Sequence, residues 1–549
     1  MSFVSNFEST RWRFTKAEIT ILSGADIVAA YAIWTFVTYL TDVWDLGVTQ
    51  AAGIFNLYYG IINIMPLFTQ YIVAAFLGNY RMLMISSYAL DNYFWTLAAL
   101  FAATLGFGAL ALSTPPMLGW ATGTCTAYEA ECIGPVQKIL FYTALPLIAV
   151  GITGQATSLV QLAHDERPQW LGPLTFTAPI TSLIQSAQDQ TTPESGLSSS
   201  SVMIAQLTAL SRSARGQTPE SDGPFVFTPG MRGLALAAVC ILGYVTSWSI
   251  KYGVSALVII MAAFSFVALS PCSYKRVKGQ GVPVKWKETK TILLVTLVGA
   301  LFVAMSVVSA IGNTYFVLQA SHLNQKVWFV KFPLPILLFA YNEARSKFGG
   351  FKRSVAAISI GLAASMVLAS LCCVVAALVE ARRLAVVKSS GLIDLPDETI
   401  PMTMFWLVPQ FVLLGCADGI FRRAIGSLYM VALISDEEAK NLEASKVLQC
   451  QYAGFYDMAV YGVGVMGSVL SVHVVGEISA EGGKINWFQH TLNTSRLDNY
   501  YWTLAALVAI NLLIFFVLAV CCGACFYVVS RFKDAKLPAA PAVDEPLLQ

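Results

Sequence analysis

Five charged side chains, Asp26, Asp418, Arg422, Arg423 and Asp457, stand inside runs of apolar residues, and these are the groups of the chain best placed to do chemistry. A charge at the centre of a helix in lipid costs roughly 2.5–3.5 kcal/mol by insertion scales, so each needs a counter-charge or an aqueous cavity. Asp418 and Arg422 are four residues apart, which puts them on one face of a helix. Asp26, at a comparable depth on another helix, is placed to form a gate with Arg422. The competing arrangement is a structural Asp418–Arg422 pair, with Arg423 reaching toward the headgroups. In a cavity, the Arg422 guanidinium would offer a fixed fork of donors to an anionic group, and Asp418 would hold that fork ready.

Uncharged polar residues form a second set. Trp406 and Gln410, one turn apart, offer either a flat wall and an amide to a solute or ordinary packing. Asn56, Asn63, Gln155 and Asn313 either line a cavity or bond between helices. The four histidines (His164, His322, His473, His490) are scattered, and no nucleophile stands beside a base, so the chain does not read as an enzyme. Cys240, Cys372, Cys373, Cys416 and Cys450 lack ligand spacing, so neither a metal site nor a cofactor is expected. Cys125 and Cys132 share one polar loop and would pair in an oxidising compartment.

The elements that position these groups are set by composition. The chain has 549 residues, 56% hydrophobic and 12% charged, with a mean hydropathy of +0.64. A water-facing surface needs roughly twice that share of charge, so lipid covers most of this chain. A net charge of +2 provides no field for a nucleic-acid partner. Spanning helices need roughly 20 apolar residues, and such runs begin near Ile19, Ala51, Met82, Ile139, Gly233, Gly253, Thr291, Val327, Val355, Met402, Val447 and Tyr500, giving about twelve spans. The run from Met82 to Leu112 is overlong and should tilt, kink or protrude. Basic residues gather in alternate connections (Arg81, Lys275 to Lys290, Arg345 to Arg353, Arg531 to Lys536), which places both termini in the cytosol, against one violation at Arg382, Arg383 and Lys388.

The expected organisation is a cytosolic N-terminus (1–16), four helices (17–163), a disordered cytosolic loop (164–229), two further helices (230–271), a basic linker (272–290), a six-helix bundle (291–530) and a cytosolic tail (531–549). The loop is rich in Ser, Thr, Gln and Pro and cannot bury a core. The stretch from Leu90 to Leu100 nearly repeats Leu497 to Leu507 without matching flanks, as a local duplication or a faulty gene model would. Asn493-Thr-Ser495 is a glycosylation sequon lying close to the last span. Cys521, Cys522 and Cys525 are either acylated or packed. The tail Asp544-Glu-Pro-Leu-Leu548 has the form of an acidic dileucine sorting signal.

Longer motifs carry a family resemblance. The segment Glu398–Asp418 (ETIPMTMFWLVPQFVLLGCAD) and the segment Trp487–Trp502 (WFQHTLNTSRLDNYYW) resemble the tenth-helix and last-helix signatures of the plant nitrate/peptide transporter family. Lys287–Lys290 with Asn313–Gln319, and Tyr39–Thr41, Phe76–Gly78, Tyr80–Arg81 and Ser113–Pro116, fall where that family carries similar residues. The resemblance implies the major facilitator fold, an all-α membrane protein with two six-helix bundles around a central cavity. It also implies a rocking transporter of nitrate, peptides or hormone-like molecules, usually driven by protons. The family's first-helix Glu-x-x-Glu-Arg falls at Leu22, Ala25 and Asp26. Its fourth-helix lysine falls at Ala156, its tenth-helix glutamate near Ser427 and the aspartate after its second helix at Ala74. None of those coupling groups carries over. The expectation is therefore a monomeric transporter of a small solute in a plasma, vacuolar or other endomembrane bilayer, with little dependence on a proton gradient. The alternative is a sensor or interaction protein that keeps the fold without transport.

Overall fold

The computed structural model describes residues 21–80, 88–166, 237–273, 299, 302–327, 330–347, 355–433 and 443–521. The segments 1–16 and 531–549, and almost all of the 164–229 loop and the 272–290 linker, lie outside the described residues. So do Arg81, the basic residues 275–290, Lys352 and Arg353, Cys522 and Cys525, and the side chains of Ala74, Ala156 and Ser427.

Thirteen helices order the described chain: α1 (Ile21–Asp42), α2 (Val48–Tyr80), α3 (Tyr88–Leu112), α4 (Pro115–Thr122), α5 (Pro135–Glu166), α6 (Trp248–Ser273), α7 (Val303–Asn313), α8 (Tyr315–His322), α9 (Pro335–Lys347), α10 (Val355–Ser389), α11 (Val408–Leu433), α12 (Glu443–Ala480) and α13 (Leu497–Cys521). Residues 237–244 are also helical. Among the described residues nine helices are long and apolar enough to cross a membrane, ten if the bent pair α3 and α4 is one span.

Where the structure departs from the twelve expected runs, proline and threonine account for it. The third run turns by 67° between Thr96–Leu112 and Pro115–Thr122. Pro115 and Pro116 supply no amide to continue the ladder, and a new helix starts on them. The eighth expected span does not begin at Val327. That residue lies in a hairpin, β2 (Lys326–Val327) against β3 (Val330–Lys331), and α9 starts only after Pro333, with Pro335 as its first residue. A short parallel pair, β1 (Leu323–Asn324) with β4 (Ile400–Thr403), closes the same end. In α1 the hydroxyls of Thr35, Thr38 and Thr41 donate back to the carbonyls of Ala32, Thr35 and Thr38, which competes with the helix ladder and breaks its regularity at Thr35. The seventh span is two helices, because Thr314 (φ −123°, ψ −85°) interrupts it between α7 and α8.

The helices pack as two halves, joined mainly by α2 against α12. Gly60 and Gly462 make that approach possible: a Cβ on Gly60 would lie 2.8 Å from the Gly462 carbonyl oxygen, and one on Gly462 would lie 2.6 Å from that of Gly60. Asn56 crosses the same seam and donates to Ser468 Oγ at 2.9 Å, while Asn63 turns back to the Tyr59 carbonyl of its own helix. Aromatic contacts fill the first half, with Tyr39 edge-on to Tyr252 at 5.3 Å and Trp44 against Phe141 at 4.4 Å. Cys125 and Cys132 are joined in a disulfide in the loop after α4.

Candidate functional site

The break at Thr314 sets the site's position. A helix interrupted at mid-membrane frees backbone and small polar side chains to face a cavity instead of lipid. Beside it, Trp34 of α1, Ser309 and Asn313 of α7, Tyr341 of α9, and Phe411 and Leu414 of α11 line a narrow crevice with room for about one water. Trp34 is the contribution of the first half. Its indole Nε1–H is buried without a hydrogen-bond partner among the described residues.

Asp418 lies behind this crevice. The hydroxyls of Ser309 and Tyr341 both donate to its carboxylate, one to each oxygen. The contact with Tyr341 is possible because Gly415, one turn before Asp418, lets α11 press against the α9 backbone at the Tyr341 carbonyl. The expected Asp418–Arg422 pair does not form. Arg422 turns to the next helix instead, where its Nη1 is 3.6 Å from Asp457 Oδ2 and its Cζ lies 3.9 Å from the centre of the Tyr461 ring. Asp457 and Tyr461 are themselves four residues apart on α12 and share a face.

Arg422 is 5% exposed, yet its Nε and Nη1 make no hydrogen bond among the described residues, and neither does Asp457 Oδ2. A separation of 3.6 Å keeps the Coulomb attraction while leaving donors unspent. Buried guanidinium N–H groups without acceptors are costly unless water or a ligand completes them. A relay of contacts links this pair to the crevice: Asn313 Nδ2 donates to Tyr461 Oη over a long 3.4 Å, and the Tyr461 ring carries Arg422.

The other sequence candidates fall elsewhere. Asp26 is half-buried and has no ion pair or hydrogen bond among the described residues, so an Asp26–Arg422 bridge is not formed. Gln155 is 2% exposed with both ends of its amide unpartnered among the described residues. Trp406 and Gln410 do not share an environment. A 3-10 turn (Met404–Leu407) puts Trp406 at the surface beneath Arg382, whose Cζ is 3.9 Å from the ring centre. Gln410 is buried and reaches Gln319 at 3.4 Å.

Gln319 opens a second buried network. Its Nε2 donates to Glu380 Oε2 at 2.7 Å, and Glu380 receives both Nε and Nη2 of Arg383 at 2.7 Å. Arg383 further donates to Asn493 Oδ1 at 3.0 Å and to the Leu492 carbonyl at 2.8 Å. Arg382 and Arg383 thus lie within α10 rather than in an outside loop, and Arg383 is fully enclosed. Asn493 is buried with both amide atoms engaged, its Nδ2 donating to the Leu392 carbonyl at 2.9 Å, which leaves the sequon without a free acceptor. Sequence reasoning does not single out Ser309, Tyr341, Tyr461, Trp34 or Glu380. The four-residue spacing of Asp457 and Tyr461 is the signal that finds one of them.

No family model matches the chain. Among curated proteins it is similar to the Arabidopsis thaliana protein NRT1/PTR FAMILY 5.5, at 28% identity over 91% of this chain and 95% of the relative. It is also similar to NRT1/PTR FAMILY 5.10 of the same plant, at 24% identity over 89% of each. Of solved structures it resembles a proton dependent oligopeptide (POT) family transporter, with TM-score 0.53 and 13% identity over 91% of this chain and 99% of that one. A POT family transporter in complex with 5-aminolevulinic acid follows at TM-score 0.50 and 11% identity, covering 91% and 95%. These likenesses agree with the major facilitator architecture. The chain is an all-α, multi-pass membrane protein, and the two solved structures it resembles are transporters.

Proposed function

We propose that this relative of the NRT1/PTR proteins is an alternating-access transporter of a small solute with an anionic group, and that Arg422 recognises the anion. The observation that carries this reading is the guanidinium itself, buried, held 3.6 Å from Asp457 and still owning unpartnered donors among the described residues. The crevice at Trp34, Asn313 and Tyr341 is the solute's neighbouring space, with Asn313 and Tyr461 linking it to Arg422. Nitrate or a carboxylate would accept from the free donors and weaken the hold of Asp457, so that binding and the α11–α12 contact are linked.

The family's coupling positions are apolar at Leu22 and Ala25, both buried. Solute movement by this chain accordingly depends little on an inward proton gradient. The motifs resemble those of nitrate and peptide transporters, and those two solute classes, with carboxylate hormones, are the candidates to test. Both termini facing the cytosol, and a plasma or endomembrane address, belong to the same proposal. The deciding experiment is uptake of nitrate, dipeptides and carboxylate hormones in oocytes, by the wild-type chain and by Arg422→Gln. Absence of flux for every solute, from a chain present in the membrane, would favour the non-transporting sensor instead.

A further inference from the structure

The loop between α12 and α13 is organised as a strap between the two halves. Its backbone is fixed internally: the Arg496 amide donates to the Trp487 carbonyl at 2.8 Å, and the Trp487 and Gln489 amides donate to Ser479 Oγ and Ser495 Oγ, each at 3.1 Å. The loop is pinned to its own half by Arg383, which holds Leu492 and Asn493 from a fully buried position. From that rigid base it reaches the other half, where the His490 carbonyl accepts the Val48 amide at 3.0 Å.

That amide is the first of α2. A helix leaves its first amides without intrahelical acceptors, and a Ser, Thr, Asp or Asn before it usually serves the second or third of them, leaving the first to another acceptor. The residue before α2 is Gly47, which has no side chain to do so. Its bareness has another effect: a Cβ there would stand 3.2 Å from His490 Cδ2 and 3.5 Å from His490 Cα. A bulky side chain at position 47 would therefore keep the strap from closing on α2. A second contact across the same end runs from Tyr244 Oη to the Lys331 carbonyl at 2.9 Å. The Gly60–Gly462 crossing lies further along α2 and α12.

We infer that the 484–496 strap is a latch for this end of the transporter: the His490 carbonyl caps α2 when the end is shut and leaves the Val48 amide when the halves rock apart about the Gly60–Gly462 crossing. This rests on the alternating-access reading, but its test needs no solute. Hydrogen–deuterium exchange is measured on the purified full-length chain, comparing wild type, Gly47→Leu, and Gly47→Cys with His490→Cys before and after oxidation. Positions 47 and 490 approach closely enough for a disulfide. With the disulfide formed, exchange in 36–50, 315–322 and 486–496 should slow about tenfold together and recover on reduction, while Gly47→Leu should speed the same three segments. Failure of the pair to cross-link, or slowing confined to the peptides containing the cysteines, would overturn the latch. A failed uptake assay alone would leave that result standing and would bear only on the proposed function.

Discussion

Arg422 is paired across helices with Asp457, at 3.6 Å, while Asp418, one turn away on its own helix, is occupied by the hydroxyls of Ser309 and Tyr341. The arrangement puts the positive fork on the α11–α12 seam and a hydroxyl-bound carboxylate on the crevice side. Removing one member of a buried pair strands the other, at a cost of about 3–5 kcal/mol. Arg422→Gln and Asp457→Asn should each lower the melting temperature in detergent, and the double variant should recover most of the loss. Rescue of Arg422→Gln by Asp418→Asn instead would show that the pair runs along the helix.

Arg383 ties α10 to the loop before α13, and Glu380 provides its two-oxygen counterpart. Glu380→Ala leaves a fully buried guanidinium without its carboxylate, and a loss of about 3–5 kcal/mol is expected. Thermal unfolding followed by tryptophan fluorescence measures it. A melting temperature within error of wild type would mean that the network contributes no stability.

Asn493 is predicted to carry no glycan, because its amide bonds Arg383 on one side and the Leu392 carbonyl on the other. Endoglycosidase treatment of the chain from a eukaryotic host should leave its gel mobility unchanged. A mobility shift that disappears in Asn493→Gln would show that the loop opens to the modifying enzyme.

On the proposed reading, uptake should vary little with external pH, since Leu22 and Ala25, where the resembled family carries glutamates, cannot carry a proton. Asp26 stands next to those positions on the same helix, half-buried and without an ion-pair partner among the described residues. A steep rise of uptake on acidification that Asp26→Asn abolishes would place a coupling site there and contradict this expectation.

Much of this architecture is legible in the sequence. Apolar run length locates most of the spans, because lipid allows the backbone few alternatives to a helix. The same rule misplaces the eighth span, since run length does not see that Pro333 and Pro335 interrupt the amide ladder. Charge inside apolar runs draws attention to Asp418, Arg422 and Asp457, which the structure holds buried, Arg422 beside Asp457 and Asp418 bound by hydroxyls. It could not assign partners, because i, i+4 spacing speaks only of one helix, and the partner of Arg422 comes from α12 through packing. Ser309 and Tyr341 are ordinary residues until α7 and α9 bring them to one carboxylate. Trp406 and Gln410 are separated because a 3-10 turn ends between them, a break of helical phase that four-residue spacing does not reveal.

Movement of an anionic solute through Arg422 is tested most directly by uptake with surface quantification. Nitrate, a dipeptide and a carboxylate hormone are supplied to oocytes expressing wild type or Arg422→Gln, with the amount of folded protein at the surface measured in parallel. The predicted result is saturable uptake of at least one anion by wild type, with apparent affinity about tenfold to hundredfold weaker in the variant at equal surface abundance. Saturable uptake that is unchanged by Arg422→Gln, at equal surface abundance, would contradict it.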